Sequence, residues 1–215
     1  MLNKTKTVKK PIFFKREILS AFLEKNIADD LFLEKSKIEN IDLSKNIATD
    51  VSIETTSIEH TELNDCKLKG LKLVDVYIKA SNLLNSDLEE ALFSRVEFSS
   101  CRLTGLKLIN TNLRDITFKD SKINFALFRF SKLRNVCFER CTLIDSDFQG
   151  AELDNISFIE CDLKNVEFSH AKFKDVDLSS SQIEGIKIGQ EQLKEVTIDY
   201  SQTSHIVQLL GIKIK

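Results

Sequence analysis

The sequence predicts an all-β solenoid, a parallel β-helix of square cross-section, and two observations carry that prediction. An aliphatic residue or a phenylalanine returns at every fifth position from Leu33 to Ile198; Leu, Ile or Phe fills 33 of the 34 positions and Ala48 is the exception. Residues twenty apart are alike as well, so a period of five is nested in a period of twenty. A helix cannot use the short period, because five steps of about 100° scatter the apolar position around the cylinder. A flat strand fails too, since side chains alternate faces and an odd step sends every second apolar residue into water. The chain must therefore turn once in every five residues.

Each pentad is built for that turn. Two residues before the apolar centre stands a small or β-branched residue that also points inward, as at Ala91, Val96, Cys101, Val136, Ala151, Val166 and Val176. The residue between the two inward ones points out and is mostly polar: Asp87, Glu97, Arg102, Lys122, Asp147, Asp162, Lys172. The last two residues, such as Asp154-Asn155 or Lys174-Asp175, are corner formers. Four sides closing a square stack residues twenty apart, and the columns agree. One reads Val76, Val96, Ile116, Val136, Ile156, Val176, Val196; its neighbour reads Ser81, Cys101, Ser121, Cys141, Cys161, Ser181. Phe98, Phe118, Phe138 and Phe158 fall on one side, and Phe128, Phe148 and Phe168 on another.

Ser146-Asp147-Phe148-Gln149-Gly150 and Cys161-Asp162-Leu163-Lys164-Asn165 resemble the repeat unit of the pentapeptide-repeat family: a small residue, Asp or Asn, Leu or Phe, then two variable residues. The resemblance covers about three quarters of the chain, and it implies a right-handed quadrilateral β-helix. That hand agrees with the general preference of parallel β crossovers. A leucine-rich repeat would need a unit of about 20 to 29 residues with its own Leu and Asn spacing, which is absent.

Three segments follow. Residues 1–30 read as a basic arm and an N-terminal cap, residues 31–190 as the β-helix, and residues 191–215 as a C-terminal cap. Roughly eight coils, each about 4.8 Å above the last, give a rod about 38 Å long. Gly is scarce and the one proline, Pro11, precedes the repeats, as expected where proline would remove a ladder donor. No charged leader precedes an apolar run and no 18-residue apolar stretch occurs, so the chain reads as soluble and cytoplasmic. Cys66, Cys101, Cys141 and Cys161 take the small inward position as buried free thiols. Cys141 and Cys161 lie one rung apart, within disulfide reach, but a reducing cytoplasm opposes the bond. Cys137 alone falls on an outward position and is the expected target of a thiol reagent.

Lys4, Lys6, Lys9 and Lys10, with no acid among residues 1–10, suggest a mobile arm. From Lys15 to Lys25, Ile18, Leu19, Phe22 and Leu23 fall at helical spacing and read as an amphipathic cap on the first coil, which an open β-helix end requires. At the far end Asp199 and Ser201 can cap a short helix carrying Ile206, Val207, Leu209 and Leu210, with Gly211 as its stop and a strand-like Ile212-Lys213-Ile214 after it. This ending resembles that of Qnr-type members of the family, in which a C-terminal helix joins two rods end to end. It implies a homodimer through those four residues; the alternative is a monomer whose helix lids its own coil. The register never slips, so the chain resembles the loop-free members.

Chemistry-bearing motifs are absent. His60, His170 and His205 are too dispersed to share a metal, and no Cys-x-x-Cys, glycine-rich phosphate loop or nucleophile elbow occurs. Carboxylates on a solvated ladder lack the burial that tunes a catalytic pKa. No catalytic residue, cofactor or metal is expected. What remains is surface: Phe125, Leu127 and Phe130 point outward on one coil, with Ile109 a coil below and Ile144 a coil above, and such a contiguous apolar patch reads either as a partner site or as corner residues that fold back over the coil.

Two functional classes remain. The family resemblance implies a DNA mimic that binds DNA gyrase or topoisomerase IV and protects it from quinolones, with outward acids as the mimicking charges and no direct contact with nucleic acid. Residues 31–190 hold 26 Asp and Glu against 21 Lys and Arg, whereas a duplex of that length carries about 22 negative charges. The charge is also banded. Residues 101–140 hold nine bases against three acids, while Asp145, Asp147, Glu152, Asp154 and Glu160 make coil 141–160 wholly acidic. The second class, a non-catalytic scaffold or adaptor presenting the apolar patch and the charge bands to another protein, needs fewer assumptions.

Overall fold

The computed structural model describes residues 7–12 and 26–212, together with the backbone of Leu19–Ser20. It is a parallel β-solenoid. The strands Ser52–Glu59, Lys72–Lys79, Leu92–Ser99, Asn112–Lys119, Lys132–Glu139, Glu152–Ile159 and Lys172–Asp177 stack in sequence order. Each pairs with its neighbour in a register of twenty, as in Val96 with Ile116 and Ile116 with Val136. Single bridges continue the same register on the other sides, for example Asn82 with Arg102 and Lys107 with Leu127.

The corners have a specific origin. Every fifth residue from Asp30 to Asp175 is left-handed, with φ between 48° and 73°. Asn, Asp and Gly adopt this conformation most cheaply and supply many of these positions. The expectation of two turn residues per pentad thus resolves into one left-handed corner preceded by an ordinary residue.

The small inward residues do more than fit. The Ser121 hydroxyl accepts the Cys101 N–H at 3.0 Å, that of Ser131 accepts the Thr111 N–H at 2.9 Å, and that of Ser181 accepts the Cys161 N–H at 3.0 Å. The same hydroxyls donate onward, as Ser146 does to the Ile123 carbonyl at 2.8 Å and Ser181 to that of Phe158 at 2.9 Å. Buried backbone groups near the corners are satisfied this way, which explains a preference for Ser and Thr beyond size. Cysteine thiols substitute: Cys161 donates to the Phe138 carbonyl at 3.3 Å. All five cysteines are free, burial pushes the Cys101 thiol up to about 11, and the neighbouring Cys161 sulfur together with burial holds Cys141 higher still.

Four faces result, named by their outward columns. The first carries Lys72, Leu92, Asn112, Lys132 and Glu152; the second Tyr77, Glu97, Thr117, Cys137 and Ser157. The third carries Asn82, Arg102, Lys122, Thr142 and Asp162; the fourth Asp87, Lys107, Leu127, Asp147 and Glu167. By chain order the second and fourth are opposite.

At the upper end the pentad phase outlasts the coil. Leu193 keeps the phase but lies in a short helix, α1 (Gln190–Leu193), before Val196–Thr197 pairs with Val176–Asp177. The Asp199-capped turn Tyr200–Gln202 then leads into α2 (Thr203–Leu209), with Gly211 left-handed beyond it. Two glutamines close the end: Gln192 Nε2 donates to the Ala171 carbonyl at 2.7 Å, and buried Gln202 donates to those of Leu178 and Ser181 at 2.8 and 2.7 Å.

At the lower end the helical cap expected over Lys15–Lys25 lies outside the described residues except for Leu19–Ser20, which form a two-residue strand against Ser36–Lys37. Residues 7–12, part of which was read as a mobile arm, lie against the second face instead. The Ile12 N–H donates to Asp75 at 3.0 Å and the Lys9 N–H to Asp115 at 3.4 Å. The proposed strand-like segment after Gly211 lies outside the described residues beyond Ile212. Among the described residues no helix is long and apolar enough to cross a membrane.

Candidate protein-binding site

The outward apolar residues gather on the fourth face. Phe125 and Phe130 occupy the two corners that bound it, at φ 58° and 57°, and are 56% and 59% exposed. Leu127 lies half-buried between them, bridged to Lys107 below and Asp147 above. Ile144 is half-buried one coil up, its carbonyl accepting the Phe125 N–H at 2.9 Å; Ile109, also half-buried, precedes the lower corner, where the Asn110 N–H bonds the Arg129 carbonyl at 3.0 Å. Two exposed rings thus flank a half-buried aliphatic centre.

Phe130 is also structural. A Cβ on Gly150 would meet the Phe130 ring at 2.7 Å, so the ring lies across that corner and the glycine admits it. One rung above Phe125 stands Asp145 in place of a glycine. A bulky residue in the left-handed region costs about 1 kcal/mol or more.

The charge around the patch is uneven. Arg129 reaches over the corner to Asp147, with Nε–Oδ2 2.6 Å and Nη2–Oδ2 2.5 Å, and Lys107 contacts Asp87 at 3.4 Å. Arg102 and Lys122, exposed on the adjoining third face, make no ion pair among the described residues. The apolar patch thus borders uncompensated positive charge.

The acidic coil is largely neutralised by its neighbours. Asp147 is buried beneath Arg129. Asp154 lies between Arg134 at 3.1 Å and Lys174 at 3.2 Å; burial works against its charge, but the two cations outweigh it and hold the carboxyl below its usual range. Glu152 pairs with Lys172 at 3.0 Å and is likewise held low. Asp145 accepts from Asn165 at 3.1 Å, and Glu160 stays exposed at a corner. A count of charge by coil hides this, whereas the twenty-residue period sets Arg134 and Lys174 beside Asp154 and Lys172 beside Glu152.

Two further features were missed. Asp75, Asp115 and Asp147 are buried, contrary to the expectation of a wholly solvated acid ladder. Asp75 is gripped by Arg95 through two 2.6 Å bonds; burial opposes its ionisation, but Arg95 and the Ile12 amide hold it below the usual range. Glu39, Glu59 and His60 place one potential metal-ligand atom each within 4.8 Å of one another, a grouping invisible while histidines alone were compared. The Lys37 ammonium, however, sits 2.8 Å from Glu39 and 3.9 Å from Glu59, where it neutralises both carboxylates.

At the upper end α2 divides its apolar residues. Ile206 packs against the core and Val207 is half-buried, whereas Leu209 and Leu210 are exposed beside the exposed Tyr200 and Ile212. Of the four residues assigned to a dimer contact, two therefore face solvent in the single chain.

A family model described as the pentapeptide repeat region matches residues 79–148 and 131–207, together more than half of the chain. Among solved structures, a trypsin-treated QnrB1 variant, described as a plasmid-mediated fluoroquinolone resistance protein, is 15% identical with a TM-score of 0.42, covering 93% of this chain and 100% of its own. HetL, a pentapeptide repeat protein involved in heterocyst differentiation regulation from the cyanobacterium Nostoc sp. strain PCC 7120, is 14% identical with a TM-score of 0.33, covering 80% and 91%. No match was found among curated protein sequences.

Proposed function

We propose, from the premise that this chain belongs to the pentapeptide-repeat family, that it is a non-catalytic binding rod whose partner site is the fourth face around Phe125, Leu127 and Phe130. The observation that carries this reading is Phe125, an exposed ring held at a left-handed corner where Asn would be more stable. Strain at the corner and a mostly exposed ring together support a use in contact with another molecule. Arg102 and Lys122 beside the patch suit a protein segment that carries carboxylates together with apolar side chains.

Mimicry of DNA toward gyrase or topoisomerase IV is the more specific alternative, and the neutralised acidic coil favours the adaptor over it. Homodimerisation through Leu209 and Leu210 fits either reading. Because Gln202 closes the last coil, dimerisation is better probed by Leu209→Glu with Leu210→Glu than by truncation.

Phe125→Asn tests the proposal. It should raise stability by about 0.5 to 1 kcal/mol through relief of the corner, and proteins retained by the native rod from a host lysate should be lost. Retention unaffected by the substitution would exclude this face as the partner site. DNA supercoiling by gyrase should be untouched at micromolar rod; salt-dependent inhibition would replace the adaptor reading with mimicry.

A further inference from the structure

The second face, opposite the proposed partner site, is crossed by residues 7–12 in a way that the coil itself does not require. The Ile12 and Lys9 amides donate to Asp75 and Asp115, at 3.0 and 3.4 Å. These two carboxylates share one corner column, two rungs apart, which is about 9.6 Å along the rod. Three residues of extended chain span about 10 Å, so the spacing from residue 9 to residue 12 matches the spacing of the two acceptors. Continuing upward, Thr7 and Val8 line a cleft of about 320 Å3 with Glu97, Thr117, Cys137 and Ser157. Pro11 assists by fixing its own φ and holding Lys10 extended, which lowers the ordering cost of a straight segment.

The contact is complementary but not built in. Residues 7–12 run along the rod axis and add no strand to the sheet. Both carboxylates keep partners without them: Asp75 has Arg95, and Asp115 accepts from Asn135 at 3.1 Å with Arg114 at 3.7 Å. Thr7, Lys9, Lys10 and Ile12 remain exposed.

We propose that the second face is a docking groove for an extended segment that presents backbone amides at this pitch, occupied in cis by residues 7–12, which act as a displaceable strap. Leaving the groove breaks two amide–carboxylate bonds, keeps every rung intact and widens the cleft that Thr7, Val8 and Lys10 share with Cys137. A second copy of the segment, supplied in trans, takes its place.

Cys137 reports the opening, because the other four cysteines are buried in the bore. Deleting residues 1–12 should raise the rate of Cys137 modification by a thiol reagent roughly tenfold or more, and a synthetic peptide of residues 1–12 added in excess should slow it again. A rate unchanged by the deletion overturns the strap; a faster rate that the peptide fails to slow overturns the docking groove. Should the shortened chain fail to fold, the intact chain carries the test by hydrogen exchange. The Lys9 and Ile12 amides should exchange roughly tenfold slower than in the free peptide while remaining faster than those of the coil ladder. Exchange at the free-peptide rate overturns the proposal, as does exchange as slow as that of the coil.

Discussion

The lower and upper halves of the bore are filled differently. Up to Leu88 every pentad centre is Leu, Ile or Ala, whereas nine centres from Phe93 to Phe173 are phenylalanine. In the upper half the rings repeat at the pitch of the coil. Phe98, Phe118, Phe138 and Phe158 stack at centroid distances of 4.9 Å, and Phe128 and Phe148 at 4.5 Å. The two columns meet edge to face, as Phe128 does with Phe138 at 6.1 Å and 89°. Stack and strand spacing nearly coincide, so one residue type repeated every twenty positions keeps its rings in contact along the bore. In the lower half the branched aliphatic side chains have no such match. A void of about 40 Å3 runs among residues including Leu43, Val51, Ile58, Leu63, Leu68 and Leu83. A solenoid's stability is close to a sum over neighbouring repeats, so the two halves should differ in local stability even though their backbones are alike.

The largest effect that sharpens this contrast is at Phe138, which contacts Phe118 and Phe158 by stacking and Phe128 and Phe148 edge to face. Phe138→Ala should cost about 3 to 5 kcal/mol by denaturant unfolding, against about 2 to 3 for Leu83→Ala beside the void. A loss below about 1 kcal/mol at Phe138 would contradict the stack, and equal losses at both sites would erase the distinction between the halves.

Adding volume should change sign between the halves. Ala126, fully buried under the phenylalanine columns, has no room, so Ala126→Val should destabilise by about 1 to 3 kcal/mol. Val51 lines the void, and Val51→Ile should stabilise by roughly 0.5 to 1 kcal/mol as the extra methylene is buried. Destabilisation by both would mean that the aliphatic half is as tightly filled as the aromatic one.

How much of this was legible follows from what the pentad phase encodes. It placed the core residues of the coils, though not Ile27, which is buried ahead of the repeat at an outward phase, and it put Phe125, Leu127 and Phe130 on one face, because orientation in a solenoid depends on position modulo five and twenty. It gave the corners as pairs of turn residues but not their left-handed member, which Arg95, Arg140 and Phe125 supply although their residue types argue against that conformation. Contacts that cross coils by side-chain reach were not encoded. Arg129 on Asp147 depends on a rotamer, and the seat of residues 7–12 depends on a segment with no repeat at all. Gln192 and Gln202 looked like ordinary polar residues near a terminus. A glutamine inside an apolar tail was the available signal, since an open coil end needs donors for its carbonyls.

The smallest predicted effect concerns acid, and it narrows the contrast. Of the coil carboxyls held below their usual range, Asp120, Glu152, Asp154 and Glu167 lie in the aromatic half and Asp75 in the aliphatic half. Their folded-state pKa values are depressed, so their stabilisation is complete above the ordinary carboxylate value of about 4 and is lost as pH falls through the folded values. The exposed pairs are screened by solvent and each contributes at most about a few tenths of a kcal/mol. Amide exchange, corrected for its intrinsic pH dependence, should show the aromatic half better protected at neutral pH and the margin shrinking by less than about 1 kcal/mol as pH falls toward 2. A margin indifferent to acid would assign the whole difference to the bore. One that widened would mean that the ion ladders of the lower coils matter more than the described pairs allow.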